Sequence, residues 1–261
     1  MDFLKIPDRT SKPRTNGLTS VIDFGTPLGE LKHILTDYCH IIDIAKIGIG
    51  SAYVTPNLKE KIQLYKEKEI KPYCGGTFFE KCFYQNKIPE YLQLLQELGI
   101  EWIEISNGTL DIPLSERLYL ITQLKKDFHV IAEVGSKDHN KDMPISEWKE
   151  EIMILLEAGC DYVITEGRDS GTSGIYERNG AVKHGFIREL TSSIDCQKII
   201  FEAPTAKQQM HFINEVGANV NLGNVKLHDV LVLEAQRCGL RSETFFMEDE
   251  NANYLNPTST N

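Results

Sequence analysis

Short apolar runs rich in β-branched residues alternate eight times along the chain with longer segments of helical spacing, the order that parallel strands joined by helical crossovers require. Three of the helix ends read ELGIEWIEI, EAGCDYVIT and EVGANVNL, so a glycine closes the helix just before the next strand starts. The strands are almost continuously apolar, as expected when both faces are covered, which argues against an open antiparallel sheet. Eight such units in 261 residues favour closure into a single-domain α/β fold, a (β/α)8 TIM barrel, which typically needs about 250 residues. A doubly wound open sheet fits less well, because DFGTPLGE after the first strand lacks the G-x-G-x-x-G turn.

The pattern predicts strands over 19–23, 41–46, 71–74, 101–105, 129–134, 161–165, 198–202 and 218–221. Helices are expected over 28–38, 57–69, 87–98, 115–126, 146–158, 184–192, 205–216 and 227–238, with Ser115 and Ser146 as N-caps and Gly159 as a stop. Residues 1–17 read as an N-terminal arm, 18–246 as the barrel, and the polar, Asn-rich 247–261 as a disordered tail. A net charge of −10 offers no basic excess for nucleic acid or an anionic membrane. The six cysteines form no C-x-x-C pair, which suits reduced thiols in a cytoplasmic protein. No apolar run approaches the roughly 18 residues of a membrane span, and the N-terminus has no signal-peptide core.

Barrel enzymes place their chemistry on the loops after the strands, so the strand ends are the informative positions. AEVGSK, VITEGRDSG and IIFEAP each close an apolar run with a glutamate, Glu133, Glu166 and Glu202, about 35 residues apart. The rest of the expected rim is polar: Asp23; Lys46 with Gly48 and Gly50; Gly75, Gly76, Thr77 and Glu80; Glu104, Ser106 and Asn107; Lys137; Arg168; Asn221 and Asn224. Oxygen ligands of this kind suit Mg²⁺, which takes one or two carboxylates together with waters and substrate oxygens. Lys46, Lys137 and Arg168 give the rim local positive charge, so an anionic substrate is compatible with a negative total. GRDSGTSG, GGTFFE and NLGN are glycine-rich cradles for an anion, with Ser170 and Gly171 in the first, while EAPTAK and NLGNVK after strands seven and eight are where barrels often hold a phosphoryl group. Lys46 closes an apolar strand and needs a partner, for which Asp43 or Glu80 is available. On local grounds alone, Lys137 reads equally as a solvated loop lysine in SKDHNKD.

Taken in order, GGTFFE, EISNG, EVGSK, EGRDSG, FEAP, NLGN and GLRSETF resemble the phosphosulfolactate synthase family over residues 17–246. The resemblance implies a TIM barrel and a Mg²⁺-dependent addition of sulfite to phosphoenolpyruvate, yielding (2R)-2-phospho-3-sulfolactate for coenzyme M or sulfolactate biosynthesis. It implies Mg²⁺ on some subset of Glu104, Glu133, Glu166 and Glu202. Lys137, in the family's EVG-x-K motif, is the expected proton donor, with Glu166 and Arg168 as the other catalytic residues. Asp23, Lys46, Gly75, Gly76, Thr77, Ser106, Asn107, Ser170, Gly171, Asn221 and Asn224 are the expected substrate-binding residues, and a homo-oligomer is compatible with the reading. One departure stands out: where the family carries KFGWGTS after its second strand, this chain has KIGIGSA from Lys46 to Ala52, keeping the lysine and both glycines. Two rival functions are a lysine Schiff-base aldolase using Lys46 or Lys137, and a noncatalytic stress-associated protein like the family's plant relatives.

Overall fold

The computed structural model describes residues 3–135, 143–167, 170–183 and 185–247. Its strands are β1 (Thr19–Asp23), β2 (Ile44–Ile47), β3 (Lys71–Cys74), β4 (Trp102–Ile105), β5 (His129–Val134), β6 (Tyr162–Thr165), β7 (Ile199–Glu202) and β8 (Leu222–Lys226). They form one parallel sheet in the order β3-β2-β1-β8-β7-β6-β5-β4. The end strands β3 and β4 lie side by side, so the sheet curls into a nearly closed (β/α)8 barrel. The helices are α1 (Leu28–Tyr38), α2 (Leu58–Glu67), α3 (Gly76–Tyr84), α4 (Ile88–Glu97), α5 (Leu114–Leu124), α6 (Ile145–Ala158), α7 (Phe186–Thr191), α8 (Ala206–Val216) and α9 (Val230–Arg237).

Strand periodicity divides the buried side chains into two sets. Val21, Ala45, Ile47, Ile103, Ile105, Val130, Ala132, Val163 and Phe201 face outward into the main core beneath the helices. Leu18, Ile44, Tyr73, Trp102, Ile131, Tyr162, Ile164 and Ile200 fill the barrel interior. Stepping two residues on from Ile44, Trp102, Ile131, Ile164 and Ile200 reaches Lys46, Glu104, Glu133, Glu166 and Glu202. The same alternation that packs the barrel therefore sets a layer of charge above its apolar plug, at the carboxyl ends of the strands. Two steps on from Tyr73 stands Gly75, whose missing side chain leaves room for Lys46: a Cβ there would lie 3.1 Å from the lysine's Cε.

The amino-terminal end is sealed differently. Lys12 Nζ donates to the carbonyls of Cys39, Ile42 and Lys68, Arg14 pairs with Asp43 at 3.0 Å, and Tyr162 Oη donates to Thr15 O. Arg9 pairs with Glu234 at 3.0 Å, and the buried Arg237 donates to the carbonyls of Leu18, Ala218 and Val220. These partners precede strands, so the arm lies across the end of the barrel opposite the charged layer.

Three expectations are corrected. α3 replaces the loop expected at GGTFFE: Gly75 is its N-cap, and Phe78, Phe79 and Glu80 are buried. β8 begins at Leu222, not 218, because Asn219 and Asn221 spend their amides on fixed partners before the strand starts. The caps of α5 and α6 are Pro113 and Pro144, one and one residue ahead of each helix, so Ser115 and Ser146 lie inside the first turn. Gly159 closes α6 in the left-handed conformation as expected, at φ 112°. Of the expected tail 247–261, only Met247 lies among the described residues.

Candidate active site

Lys46 is the centre of the charged layer. Its Nζ stands 3.0 Å from Glu104 Oε2 and 3.4 Å from Glu202 Oε1, and all three residues are buried. Burial opposes the ammonium, but the Glu104 carboxylate, then Tyr73 and Glu202, outweigh it and hold the lysine pKa well above its usual value. Glu104 is pushed up to about 7, first by burial and with help from Glu133 and Glu202, against the pull of Lys46. Neither Asp43 nor Glu80, the partners considered from sequence, reaches Lys46. Asp43 pairs with Arg14 and accepts from Thr19 N, while Glu80 accepts from the amides of Thr109 and Leu110.

The neighbouring carboxylates are tied into the same layer. Ser106, two residues beyond Glu104 on the inner face, donates to Glu133 Oε2 at 3.2 Å. Glu202 Oε2 accepts from Gly167 N at 2.9 Å, which fixes the start of the loop after β6 to β7. Gly76 stands so close to β4 that a Cβ would lie 2.4 Å from Glu104 Oε1 and 2.3 Å from Ser106 Oγ. The first turn of α3 thus rests on the carboxylate, with its amino-terminal dipole turned toward negative charge.

The structure therefore brings together Lys46, Gly75, Gly76, Glu104, Ser106, Glu133 and Glu202. Glu166 is buried directly after β6, with its main-chain N on Val134 O. Asn224 lies at φ 54° beside Gly223, the residue paired with Glu202, and its buried Oδ1 has no hydrogen-bond partner among the described residues. Thr77 is exposed on α3, and Ser170 shares a 2.8 Å hydrogen bond with Thr172 on the loop after β6. Lys137 and Arg168 lie outside the described residues.

Three expected ligand residues are placed elsewhere. Asp23 shares the outward parity of Val21, and its carboxylate accepts from Gly25 N, Thr26 N and Tyr65 Oη and pairs with Lys61 at 2.6 Å, which makes it a brace between β1 and α2. Asn107 shares the outward parity of Ile105, and its Oδ1 accepts from Ile112 N. Asn221 precedes β8 and belongs to the opposite end of the barrel, where it accepts from Leu18 N and donates to Gln197 O and Ile199 O. Conversely, sequence reasoning passed over Tyr73, whose hydroxyl is held protonated first by burial and then by the adjacent Glu104. Its two-residue spacing from Gly75 on the inner face was the available signal.

Among the described residues, no three acidic, histidine or cysteine side chains stand close enough to enclose a metal ion unaided. The donor set nevertheless fits a hard cation completed by substrate and water: Glu104 is fully buried with Lys46 Nζ 3.0 Å from Oε2, and Glu133 and Glu202 are buried in the same layer.

A (β/α)8 barrel whose carboxyl-end layer joins one buried lysine to two carboxylates has the build of a barrel enzyme. This chain belongs to the (2R)-phospho-3-sulfolactate synthase family, whose model, ComA, matches residues 7–243. It is 43% identical over 250 residues to the phosphosulfolactate synthase of Bacillus subtilis (strain 168), covering 94% of this chain and 99% of the relative. It is 41% identical over 235 residues to the phosphosulfolactate synthase of Methanocaldococcus jannaschii, covering 88% and 94%. Among solved structures, 3-hexulose-6-phosphate synthase from Salmonella typhimurium shares the fold, with a TM-score of 0.52 at 14% identity over 86% of this chain and 95% of that one. The described residues include no helix long and apolar enough to cross a membrane.

Proposed function

We propose that this chain catalyses the Mg²⁺-dependent addition of sulfite to phosphoenolpyruvate, giving (2R)-2-phospho-3-sulfolactate. The observation that carries this reading is the buried layer of Lys46, Glu104 and Glu202 at the carboxyl ends of the strands, in a chain so similar to named phosphosulfolactate synthases. The sulfur lone pair of sulfite attacks the methylene carbon of phosphoenolpyruvate and forms the C–S bond. The π electrons move toward the carboxylate, and a proton then adds to the carbon that bears phosphate. Nothing leaves, so the enzyme must bind two anions together and manage one proton and one transient charge.

Glu104 and Glu202, with Glu133 and Glu166 beside them, are the residues that would hold Mg²⁺. When bound, the cation supplies Lewis-acid neutralisation of the charge that builds on the substrate carboxylate. Lys46 contributes an ammonium in the same layer, favoured and fixed by two carboxylates, and so offers an anionic substrate a preorganised positive charge. The cradle of Ser170 and Gly171 after β6 is assigned to the phosphate. Lys137, four residues after Glu133, is assigned the proton delivered to the phosphate-bearing carbon, and Arg168 a bidentate contact to an oxyanion.

Of the two lysines a Schiff-base aldolase could use, Lys46 sits between two carboxylates and Lys137 lies outside the described residues. Imine formation needs a neutral amine, whereas two carboxylates keep Lys46 charged. The deciding experiment mixes purified protein with sulfite, phosphoenolpyruvate and Mg²⁺ and follows phosphorus NMR. Appearance of a new phosphate ester that EDTA abolishes supports the reading. Turnover that survives EDTA, together with borohydride trapping of substrate on a lysine, would replace it with the aldolase.

A further inference from the structure

Gln208, in the first turn of α8, is buried, and each polar atom of its side chain is engaged. Its Oε1 accepts from Thr205 N and Thr205 Oγ1, completing a capping box at the start of α8. Its Nε2 turns the other way and donates to two carbonyls of the loop after β6, Gly171 O at 2.8 Å and Gly180 O at 3.1 Å. A capping box needs only the acceptor. The amide donor is surplus to that task, and it draws together two carbonyls nine positions apart in the chain. Both glycines have positive φ, 65° and 79°, and a Cβ on Gly171 would lie 2.3 Å from Gln208 Nε2, so the close approach depends on glycine.

Other ties run from the same β7–α8 unit to the same loop. Gly167 N donates to Glu202 Oε2, and Tyr176 Oη donates to Glu202 O. Gly174, at φ 60°, packs so tightly on Glu166 O that a Cβ would lie 1.9 Å from it. On either side of Gly180 the chain folds back on itself, Glu177 N donating to Ala181 O and Lys183 N to Ile175 O. Because a trans peptide points its C=O and N–H in opposite directions, holding Gly171 O against Gln208 turns the Thr172 N–H to the far side of the loop.

We propose that Gln208 is a positioning residue: its amide closes the neck of the loop after β6 and sets the peptides around Ser170–Thr172 for the phosphate of the substrate. This rests on the function proposed above, with the phosphate assigned to that loop. Gln208→Glu separates the two jobs of the side chain, since glutamate serves a capping box as well as glutamine does but loses the NH₂ that holds both carbonyls. Gln208→Met, which removes every polar contact at similar length, is the second variant in case the first fails to fold. Thr205→Val weakens the cap and leaves the amide in place.

Hydrogen exchange over 170–183 is read first, because it needs no turnover. Faster exchange in Gln208→Glu and Gln208→Met than in wild type and Thr205→Val is expected, and equal exchange in all four overturns the proposal. In the sulfite addition assay, the two Gln208 variants should raise KM for phosphoenolpyruvate about tenfold or more, the loss of two hydrogen bonds that order a binding loop. Their KM for sulfite and kcat should each move less than about twofold, below the smallest effect one hydrogen bond gives. Thr205→Val should lower Tm with KM unchanged. Gln208 variants that behave like Thr205→Val, losing Tm alone, reduce Gln208 to a helix cap. A wild-type protein with no turnover but a Gln208-dependent loop would instead overturn the assigned reaction while leaving the loop tie standing.

Discussion

Glu104 shows how one buried side chain couples stability to pH. Burial pushes its pKa from 4.5 to about 7, and Lys46 only partly opposes this. A carboxyl raised on folding adds stability below its unfolded pKa, and that contribution disappears as pH climbs through the folded value. The wild-type protein should therefore lose stability relative to Glu104→Gln, which does not titrate, between about pH 4.5 and about pH 7, by on the order of 2–3 kcal/mol. Tm measured for both proteins in EDTA across that window decides it, and parallel curves would mean that Glu104 ionises like an exposed carboxyl. The residue types of this layer were legible in the sequence because strand alternation is strict: once Ile131, Ile164 and Ile200 are inside, Glu133, Glu166 and Glu202 follow. The same rule, applied residue by residue, excludes Asp23 and Asn107, whose outward parity stays hidden in strands buried on both faces until Val21 and Ile105 are seen to face the helices.

At the scale of elements, α3 is the one that sequence reading missed and the one the site leans on. Two adjacent glycines look like a chain breaker, yet Gly75 is an extended cap and Gly76 a helical residue packed on Glu104 and Ser106. Local propensity registers what glycine costs a helix and nothing of what a side chain would strike. Gly76→Ala tests which matters. Alanine gains about 1 kcal/mol of helix propensity, while forcing a methyl into a full space costs about 1–3 kcal/mol. Net destabilisation in urea is expected, with at least about tenfold lower turnover because Glu104 must move. A variant more stable than wild type and fully active would show that α3 yields freely at this contact. β8 was misplaced for a related reason: Gly223 and Asn224 are poor strand formers, tolerated where the neighbouring strands β1 and β7 dictate the backbone. The loop after β6 was seen as a cradle, but its ties to Glu202 and Gln208 span 26 to 37 residues and leave no local trace.

Across the whole molecule, charge is divided between two ends of one barrel with different tasks. The carboxyl end holds Lys46 among carboxylates, and the amino end gathers Arg9 and Arg14 of the arm beside the buried Arg237. Burial is the leading influence on Arg237, whose pKa falls to about 9, with Arg9 adding to the fall and Glu234 and Asp43 opposing it. Such a cluster favours the arm being seated, because each cation already has acceptors to meet: Arg14 pairs with Asp43 and donates to Thr10 O and His40 O. Arg14→Ala would remove the ion-pair partner at 3.0 Å from the buried Asp43, leaving the Thr19 amide on Oδ2 and the charges of Lys12 and Arg237 farther off. Removing one member of a buried pair typically costs about 3–5 kcal/mol, far more than any exposed pair is worth. The midpoint of urea unfolding should drop accordingly, while kcat and KM measured well below that midpoint stay within about twofold of wild type, since Arg14 serves the end of the barrel remote from Lys46. Should Arg14→Ala instead lose turnover at unchanged stability, the two ends would be coupled through the strands, and the separation of a sealing end from a reacting end would have to be abandoned.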